Sequence, residues 1–379
     1  MGRKNQILPD LSNKRVVWMH CSSLGEFEQG RPVFEKLKTK LNNHTFVLSF
    51  FSPSGYEFIS KKDKDIANYI LYLPLDKTEN ARQFIKKINP ELAIFVKYDF
   101  WYNYILELNT RQIPLIYISV LLKNNSNLFS FYFKPLLNQL KKINKIFTQD
   151  ESTTQLLNSK GFINAETAGD TRIDRVISIA SNDYKDSVIE NFIDTNKPTI
   201  ILGSTWHQDI KVISYTNDFL INNYNVIIAP HELSPKELKI IEEEFSNYKI
   251  AYYSAPDNIN SANLLIIDKI GILKNIYRYA NIAYIGGGFG VGIHNTLEPG
   301  AYGIPVIFGP KYEKFIEAVN LINKQAYFKI SDGKQFKLVL ERLDDKNFYI
   351  QASNKIKNYF EDNKNISDKI VNYIIDNGK

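Results

Sequence analysis

The strongest chemical signature in the chain is YIGGGFGVGIHNTLEPGAYGIPVIFGP, residues 284–310. An apolar run that predicts a strand leads directly into closely spaced glycines, and a helix is predicted to begin near Asn295 or Thr296. Glycines leave backbone N–H groups open and a helix start attracts anions, so this order of elements predicts a phosphate site. It fits neither G-x-G-x-x-G, because Val291 occupies the third glycine position, nor a P-loop, because no G-K-[ST] follows.

Glu298 adds a second group to this stretch. It lies in the predicted first helical turn, where its carboxylate can accept two sugar hydroxyls while amides near Gly287 and Gly288 hold the phosphate. Two plainer interpretations stay open: the glycines only permit a tight turn, and Glu298 only stabilises the helix dipole.

A second candidate site is HCSSLGEFEQGRP, which begins at His20 and joins the first predicted strand to the first predicted helix. The small residues Ser23 and Gly25 allow a substrate to approach the backbone. Glu26, expected at the tip of the turn, is placed to remove a proton from an attacking hydroxyl. Alternatively, Glu26 is only a helix N-terminal charge, and Glu28 competes for the same role. His20 is interpreted as a partly buried strand residue rather than a ligand.

The elements around these motifs predict an α/β protein with two doubly wound domains. Apolar strands alternate with amphipathic segments, as in RVVWMH and HTFVLSFF of the first half and TIILGST and NVIIAP of the second. A chain of 379 residues also exceeds what one core usually organises. We predict domains at 1–178 and 179–345 and a C-terminal helix over 346–379 that packs back toward the first domain. Ligands are expected at the carboxyl ends of the strands, and therefore in a cleft between the domains.

Composition narrows the class of protein further. The single cysteine, Cys21, permits neither an internal disulfide framework nor a clustered Cys/His metal site, so no metal is expected. The net charge of +6 favours anionic partners, but the basic residues are spread out and balanced by 41 acidic ones, which disfavours a nucleic-acid-binding protein. No apolar run approaches the roughly 18–20 residues of a membrane span, and the start MGRKN is not typical of a signal peptide.

Several other polar motifs each follow an apolar strand and so are expected on the same rim: KYDFWYN, GDTRIDRV, GSTWHQD, APHEL and DKIGIL. With the two motifs above, and across nearly the whole chain, they resemble the bacterial Kdo transferases. These enzymes move 3-deoxy-D-manno-oct-2-ulosonic acid (Kdo) from CMP-Kdo to a lipid A precursor. The resemblance rests on SLGEFEQGRP, FFSPSGYE, GDTRIDRV, GSTW, APHE and GGGFGVGIHNTLEPGAYGIPVIFGP.

The resemblance implies a GT-B architecture, two Rossmann-like doubly wound domains facing a central cleft, and an inverting transfer that requires no metal or other cofactor. It implies CMP-Kdo, a lipid A precursor and an anionic membrane surface as partners, with no nucleic acid. The location it implies is peripheral, on the cytoplasmic face of the inner membrane. Many members carry an N-terminal membrane segment ahead of the position of MGRKN, so we expect that it was trimmed here or never present.

Carried over residue by residue, the resemblance makes Glu26 the general base and makes Asp99 and Arg172 the groups that support the transition state. The residues expected to bind substrate or CMP, which include the small residues of both turns, are Ser23, Gly25, Ser204, Pro230, His231, Ile270, Gly271, Ile272, Gly287, Gly288, Asn295, Thr296, Leu297 and Glu298. Two positions depart from the family pattern, because Asp99 replaces its usual glutamate and Tyr102 replaces the proline of FWPN.

Three other functions remain open at this stage. Another GT-B enzyme, such as a UDP-sugar transferase or epimerase, would keep the glycine loop and Glu298 without the carboxylate of SLGEF. A silent homologue would bind nucleotide without catalysis, although Glu26 and Arg172 are both retained. A basic nucleic-acid-binding protein is the third. The segment 121–147 mixes lysines with aromatic residues and leucines, which fits either a surface facing anionic lipid or a helix pair with a solvated lysine face.

Overall fold

The structure, a computed structural model, describes residues 6–123 and 126–377. The chain divides into two compact units. Unit 1 contains residues 1–175 and 365–379, and unit 2 contains residues 176–364. The start MGRKN, on which the expectation about an N-terminal segment depends, lies outside the described residues. Within the described ranges, no helix combines the length and apolar character needed to cross a bilayer.

Unit 1 is built on a parallel sheet of seven strands within the described residues, in the order β3-β2-β1-β4-β5-β6-β7. Its central strands are almost entirely buried, as expected for a parallel sheet covered on both faces. The strands are β1 Val16–Cys21, β2 Thr45–Phe50, β3 Tyr69–Tyr72, β4 Leu92–Val96, β5 Leu115–Val120, β6 Lys145–Thr148 and β7 Ala165–Thr167.

Unit 2 contains a second parallel sheet, also of seven described strands, in the order β10-β11-β9-β8-β12-β13-β14. Every strand pair in it is parallel, as the α/β prediction requires. The strands are β8 Thr199–Thr205, β9 Asn225–Pro230, β10 Ile250–Tyr252, β11 Leu264–Ile266, β12 Ile282–Ile285, β13 Val306–Phe308 and β14 Tyr327–Lys329.

Helices connect the strands and cover the sheets. The predicted fold class is therefore confirmed: each unit is a Rossmann-like α/β domain, as in the GT-B architecture. Many helices begin at a side-chain cap, such as Ser52 or Asp150. The helices are α1 Leu24–Lys40, α2 Pro53–Lys62, α3 Thr78–Ile88, α4 Tyr102–Thr110, α5 Lys134–Leu140, α6 Glu151–Ser159, α7 Arg172–Ser181, α8 Ser187–Phe192, α9 His207–Ile213, α10 Asn217–Asn223, α11 Pro235–Glu244, α12 Leu273–Ile276, α13 Leu297–Gly300, α14 Ile316–Asn323, α15 Gly333–Leu343, α16 Lys346–Asp362 and α17 Ile366–Asn377.

The core of unit 1 lies on both faces of its sheet. Val16 and Trp18 of β1 pack on one face with α3 and α4, whereas Val17 and Met19 pack on the other with α1 and α17. A large apolar side chain contributes about 1.5–3 kcal/mol when fully buried, so β1 is firmly held between the two layers. Helix α1 lies close to the sheet at Gly30, where an added Cβ would come within 2.9 Å of Met19 Sδ. This packing fixes the start of α1, which carries Glu26.

The C-terminal segment differs from the single helix predicted over 346–379. It contains two helices, of which α16 belongs to unit 2 and α17 to unit 1. The chain turns at Asn365, whose φ of 64° is left-handed. The Asp174 carboxylate then accepts the backbone N–H groups of Asn365 and Ser367, at 2.7 and 2.6 Å, and so caps the start of α17. Unit 2 accordingly extends to residue 364 rather than 345.

Each sheet contains a switch point, where the chain begins to add strands on the other side of the first strand. In unit 1, β1 lies between β2 and β4. In unit 2, β8 lies between β9 and β12. The carboxyl ends of strands at such a point form the usual ligand crevice of an open α/β sheet. The segments of interest are therefore those that follow β1 and β4 in unit 1, and β8 and β12 in unit 2.

Candidate active site

Glu26 lies in the first turn of α1, at the switch point of unit 1. Its Oε2 accepts the backbone N–H groups of Ser22 and Ser23, at 2.6 and 3.2 Å, and the Ser23 hydroxyl accepts the N–H of Glu26 at 3.4 Å. This reciprocal arrangement is a capping box, so α1 begins at Leu24, within the segment that was predicted to join the first strand to the first helix. Glu26 therefore lies in the helix rather than at the tip of the turn before it, as the alternative interpretation expected. Its carboxylate is nevertheless partly exposed at the ligand edge of the sheet.

Asp99 follows β4, the strand next to β1, and lies beside Glu26. The N–H of Ser22, which donates to Glu26, also donates to Asp99 Oδ2 at 2.8 Å. The Asp99 backbone is held as well, because its carbonyl oxygen accepts the Tyr117 hydroxyl at 2.9 Å. One backbone amide therefore bridges the two carboxyl groups, and the pair titrates as a coupled unit.

The surroundings of this pair disfavour two negative charges. Burial, and then the nearby charge of Asp99, raise the pKa of Glu26 to about 7. Burial also raises the pKa of Asp99, although its hydrogen bond with Ser22 and the charge of Lys97 act in the opposite direction. Near neutral pH, Glu26 is therefore present in both its protonated and its ionised form. A carboxyl group with such a pKa is well suited to general base catalysis.

Arg172 is the first residue of α7 and is held by a neighbouring acid. Its Nη2 and Nε donate to Asp170 Oδ2 at 2.6 and 2.9 Å, and its side chain is 26% exposed. The intervening Thr171 is fully buried; its hydroxyl donates to the carbonyl oxygen of Gln29 in α1 and lies 3.0 Å from the Ser119 hydroxyl. Arg172 is thus anchored to the helix that carries Glu26.

Unit 2 contains a buried carboxylate that the sequence analysis did not select. Asp209 lies in the first turn of α9 and is 0% exposed. It accepts the N–H of Trp206 at 2.9 Å, the hydroxyl of Tyr284 at 2.8 Å and the N–H of Gly287 at 2.8 Å. The amide of Gly287 is therefore occupied by Asp209, whereas the sequence analysis expected it to face an anion. The role of Gly287 in ligand binding stays a prediction.

The glycines at the end of β12 also have a packing function. An added Cβ on Gly286 would lie 2.2 Å from the carbonyl oxygen of Ser204, and one on Gly288 would lie 2.6 Å from Cα of Gly309. Real Cβ atoms essentially never approach so closely, so packing alone requires glycine at both positions. Ser204, an expected ligand residue, has a left-handed φ of 52° at this contact.

In the segment 295–298, Asn295 caps the start of a short helix and holds the carboxylate of Glu298. Oδ1 of Asn295 accepts the N–H of Leu297 at 3.0 Å, and its Nδ2 donates to Glu298 Oε1 at 3.1 Å. The side chains of Thr296 and Leu297 are fully buried. Both residues are buried as a whole, backbone included, whereas Glu298 is partly exposed and can present its side chain to a ligand. The binding roles of Thr296 and Leu297 stay predictions.

Three rings stack at the ends of β8, β9 and β12. The ring centroid of His231 lies 4.7 Å from that of Trp206 and 4.1 Å from that of His294. Trp206 Nε1 donates to His294 Nε2 at 3.0 Å. Burial, and then His231, lower the pKa of His294 to about 4, so this ring is neutral at neutral pH. His231 was predicted from the sequence, whereas its two partners were not. Their position after adjacent strands was the available signal.

The remaining expected ligand residues lie on turns at the edge of each sheet. Gly25 is exposed in the first turn of α1, and a Cβ added there would meet no atom within 4 Å. Pro230 ends β9 and is partly exposed. The turn after β11 contains Ile270, which is 87% exposed, and Gly271, whose φ is +94°. Ile272 follows, immediately before α12.

The structure therefore brings Ser23, Glu26 and Asp99 together in unit 1, and joins Asn295 to Glu298 in unit 2. In the described part of the chain, no group of three or more His, Cys, Asp or Glu side chains is placed to hold a metal ion. The expectation that the reaction needs no metal stays a prediction.

Comparison with known proteins gives consistent matches. Residues 1–175 match the family described as 3-deoxy-D-manno-octulosonic-acid transferase (kdotransferase). A 3-deoxy-D-manno-octulosonic acid transferase of Rickettsia conorii is 24% identical over 379 residues, with 95% of this chain and 79% of that protein covered. A bifunctional glycosyltransferase/methyltransferase of Fusobacterium nucleatum is 26% identical over 390 residues. That match covers 100% of this chain, which spans 60% of the length of the bifunctional protein.

Solved structures share the fold. The UDP-GlcNAc 2-epimerase of Neisseria meningitidis, bound to UDP-GlcNAc, superposes with a TM-score of 0.69 at 17% identity. The superposition covers 96% of this chain and 100% of the epimerase. At this identity the likeness shows the architecture alone.

Proposed function

We propose that this chain is a Kdo transferase and that it transfers Kdo from CMP-Kdo to a lipid A precursor with inversion at the anomeric carbon. The family match over residues 1–175 and the Rickettsia relative support this proposal. The observation that carries this proposal is the Glu26–Asp99 pair at the switch point of unit 1. A transfer to an alcohol requires a base at the acceptor hydroxyl, and Glu26 has the position and the proton affinity for that role.

In the proposed reaction, ionised Glu26 removes the proton from a glucosamine hydroxyl of the acceptor. The hydroxyl oxygen forms a bond to the anomeric carbon of Kdo from the face opposite the phosphate. The bond between that carbon and the phosphate oxygen breaks, and its electron pair leaves with CMP. One base and one good leaving group suffice, so the second catalytic carboxyl of a glycosidase is not required.

Asp99 and Arg172 are proposed to support the transition state. The cation of Arg172, fixed by Asp170, is suited to stabilise negative charge that develops on the departing phosphate. Asp99 influences the charge state of Glu26 through its own nearby negative charge, which favours the protonated form of Glu26. Protein groups alone are proposed to meet the developing charge, without a metal.

The donor nucleotide is proposed to bind unit 2 through turns at its switch-point edge. Glu298 is held by Asn295 and partly exposed, which suits a carboxylate that accepts ribose hydroxyls. The exposed turn Ile270–Ile272, with Pro230 and His231, supplies further contacts for CMP. Gly288, Thr296 and Leu297 are buried, and we propose that they position the residues that contact CMP.

An apolar surface beside Asp99 supports an acceptor that carries acyl chains. Tyr98 and Phe100 flank Asp99 and line a groove of about 590 Å³ together with Leu121, Leu122, Lys123, Ser126, Asn127, Leu128, Phe133 and Leu136. Next to it, Phe131 and Tyr132 are 81% and 89% exposed. Adjacent exposed aromatic residues with lysines nearby are typical of a surface that meets anionic lipid. We therefore propose peripheral binding to the cytoplasmic face of the inner membrane.

The test is to incubate the protein with CMP-Kdo and a tetraacylated lipid A precursor, and to follow CMP release and product mass. We expect acceptor-dependent CMP release and a product heavier by whole Kdo units. Parallel reactions with UDP sugars serve as the control for the other GT-B activities. Transfer from a UDP sugar, with none from CMP-Kdo, would replace the proposed donor.

A further inference from the structure

His20 is a fully buried histidine that points from β1 toward the carboxylate pair. Its Nδ1 lies 2.9 Å from the Ser49 hydroxyl and 3.1 Å from the Ser49 carbonyl oxygen. Its Nε2 has no hydrogen-bond partner in the described chain, and Asp99 Oδ2 lies 3.7 Å from it. Burial lowers the pKa of His20 to about 3, so the ring is neutral and one nitrogen carries the hydrogen.

The hydrogen-bond chain behind His20 favours one of the two nitrogens. Trp18 Nε1 lies 2.8 Å from the Ser49 hydroxyl oxygen, and an indole N–H can only donate. Ser49 therefore accepts from Trp18 and has its own hydroxyl hydrogen to donate to Nδ1 of His20. With Nδ1 acting as the acceptor, the ring hydrogen is on Nε2.

The opposite tautomer would leave an unfavourable contact. If Nδ1 donated to the Ser49 carbonyl oxygen, the lone pair of Nε2 would face Asp99 Oδ2. That oxygen already accepts the N–H of Ser22 and carries lone pairs of its own. Inside a buried site, two facing acceptors repel each other strongly. A hydrogen on Nε2 is instead attracted to Asp99, although 3.7 Å is too long for a full hydrogen bond.

We propose that His20 is a positioning residue: it presents its Nε2 hydrogen to Asp99 and so keeps the negative charge of the pair on Asp99 and the proton on Glu26 until the base is needed. This inference rests on the proposed role of Glu26 as the base. Other titratable or charged groups facing the pair are Lys97, after β4, and the buried thiol of Cys21 on β1. The buried Tyr117 of β5 holds the Asp99 backbone. Of these groups, Lys97 favours the charged forms of both acids.

A consequence for pH dependence follows. The state with both acids ionised is the active one, and it is stabilised by the His20 hydrogen. Without that hydrogen the singly protonated pair can hold its proton on Asp99 instead of Glu26, which stabilises this state relative to the doubly ionised one and makes the last proton harder to remove. The acid limb of kcat/KM must then move to higher pH, by about half a unit to one unit.

The first test needs no substrate or substitution. Nitrogen NMR of the ¹⁵N-histidine-labelled protein reports the tautomer of a neutral ring, and we expect His20 to show hydrogen on Nε2 between pH 6 and about 8. Hydrogen on Nδ1 would overturn the proposal. Because this measurement requires no donor or acceptor, its result is independent of whether the protein transfers Kdo.

The second test compares two variants that differ in which ring nitrogen they imitate. In His20→Gln the side-chain amide nitrogen replaces Nε2 and can still face Asp99, whereas in His20→Asn it replaces Nδ1 and reaches only Ser49. We expect the acid limb of kcat/KM for CMP release to shift upward in His20→Asn and to return to the wild-type position in His20→Gln. An unshifted limb in folded His20→Asn would contradict the inference. If neither variant folds, the tautomer measurement decides alone.

Discussion

Two acids occupy equivalent positions in the two units and have different surroundings. Glu26 is the third residue of α1 and Asp209 is the third residue of α9, and each of these helices follows the first strand of its unit. Burial raises the pKa of both. Asp209 is fully buried and accepts hydrogen bonds from three groups of the protein. Glu26 is partly exposed and shares a backbone amide with a second acid.

The difference teaches how to interpret a shifted pKa. The hydrogen bonds that Asp209 accepts come from the protein itself, and they join α9 to β12 and to the glycine turn. Glu26 keeps an exposed side and a neighbour that competes for its proton. A raised pKa therefore indicates a catalytic role only where the group can also reach solvent and substrate.

The largest expected effect tests the Glu26 half of this comparison. Glu26→Gln should lower kcat for CMP release by about 10²–10⁴-fold, because the amide cannot accept the proton of the acceptor hydroxyl. CMP affinity, measured by calorimetry, should stay unchanged. Wild-type turnover in this variant would remove Glu26 as the base.

Thermodynamic stability tests the Asp209 half. Asp209→Asn keeps one oxygen for the two backbone N–H groups but replaces the oxygen that accepts from Tyr284 with an amide nitrogen, and it removes the charge that strengthens all three bonds. We therefore expect the free energy of unfolding to fall by about 2–3 kcal/mol in urea titrations. Glu26→Gln is the matched control, with almost no loss expected. At pH 8 it should even be slightly more stable than wild type: the folded-state pKa of Glu26 is raised, so its contribution to stability is lost as pH rises through about 7. Equal destabilisation by both substitutions would abolish the distinction.

The coupling within the carboxylate pair is tested by Asp99→Asn. Loss of the neighbouring charge lowers the pKa of Glu26, so the acid limb of kcat/KM should move to lower pH, by about one unit. This direction is opposite to that expected for His20→Asn. A limb that stays in place would show that Asp99 does not influence the proton on Glu26.

The smallest effect concerns the nucleotide site of unit 2. Glu298→Ala should weaken CMP binding about tenfold, or about 1.4 kcal/mol, through loss of hydrogen bonds to ribose. The exposed Glu243 provides a control, since Glu243→Ala in the same unit should leave affinity unchanged. Identical CMP affinity in wild type and Glu298→Ala, measured by calorimetry, would contradict the ribose role.

The fold was largely predictable because its central strands are long apolar runs. The short strands β3, β7, β10 and β14 have three or four residues each, and the prediction did not include them. These four strands lie at the edges of the two sheets and are only partly buried, so their apolar pattern is weaker than that of the equally short inner strands β11 and β13. The start of α1 was placed too late because Gly25 and the serines before it are typical of a turn, although S-x-x-E at Ser23–Glu26 is a capping-box signature.

The candidate site was predictable only in part, for a related reason. Glu26, Asp99 and Glu298 belong to recognisable motifs after strands. Asp209 receives its hydrogen bonds from Tyr284 and Gly287, which are 75 and 78 residues away in the sequence. No local pattern reports contacts of that range, and the same holds for the hydrogen bond between Trp206 and His294.

The central claim, that Glu26 is the base, is tested most directly by titrating Glu26 itself. Carboxyl ¹³C NMR of the glutamate-labelled protein, assigned with Glu26→Gln, gives its pKa, and the pH profile of kcat/KM for CMP release gives the value that governs catalysis. We predict that the two coincide near 7. A Glu26 that titrates at its ordinary value, or a rate profile whose acid limb lies elsewhere, would contradict the account.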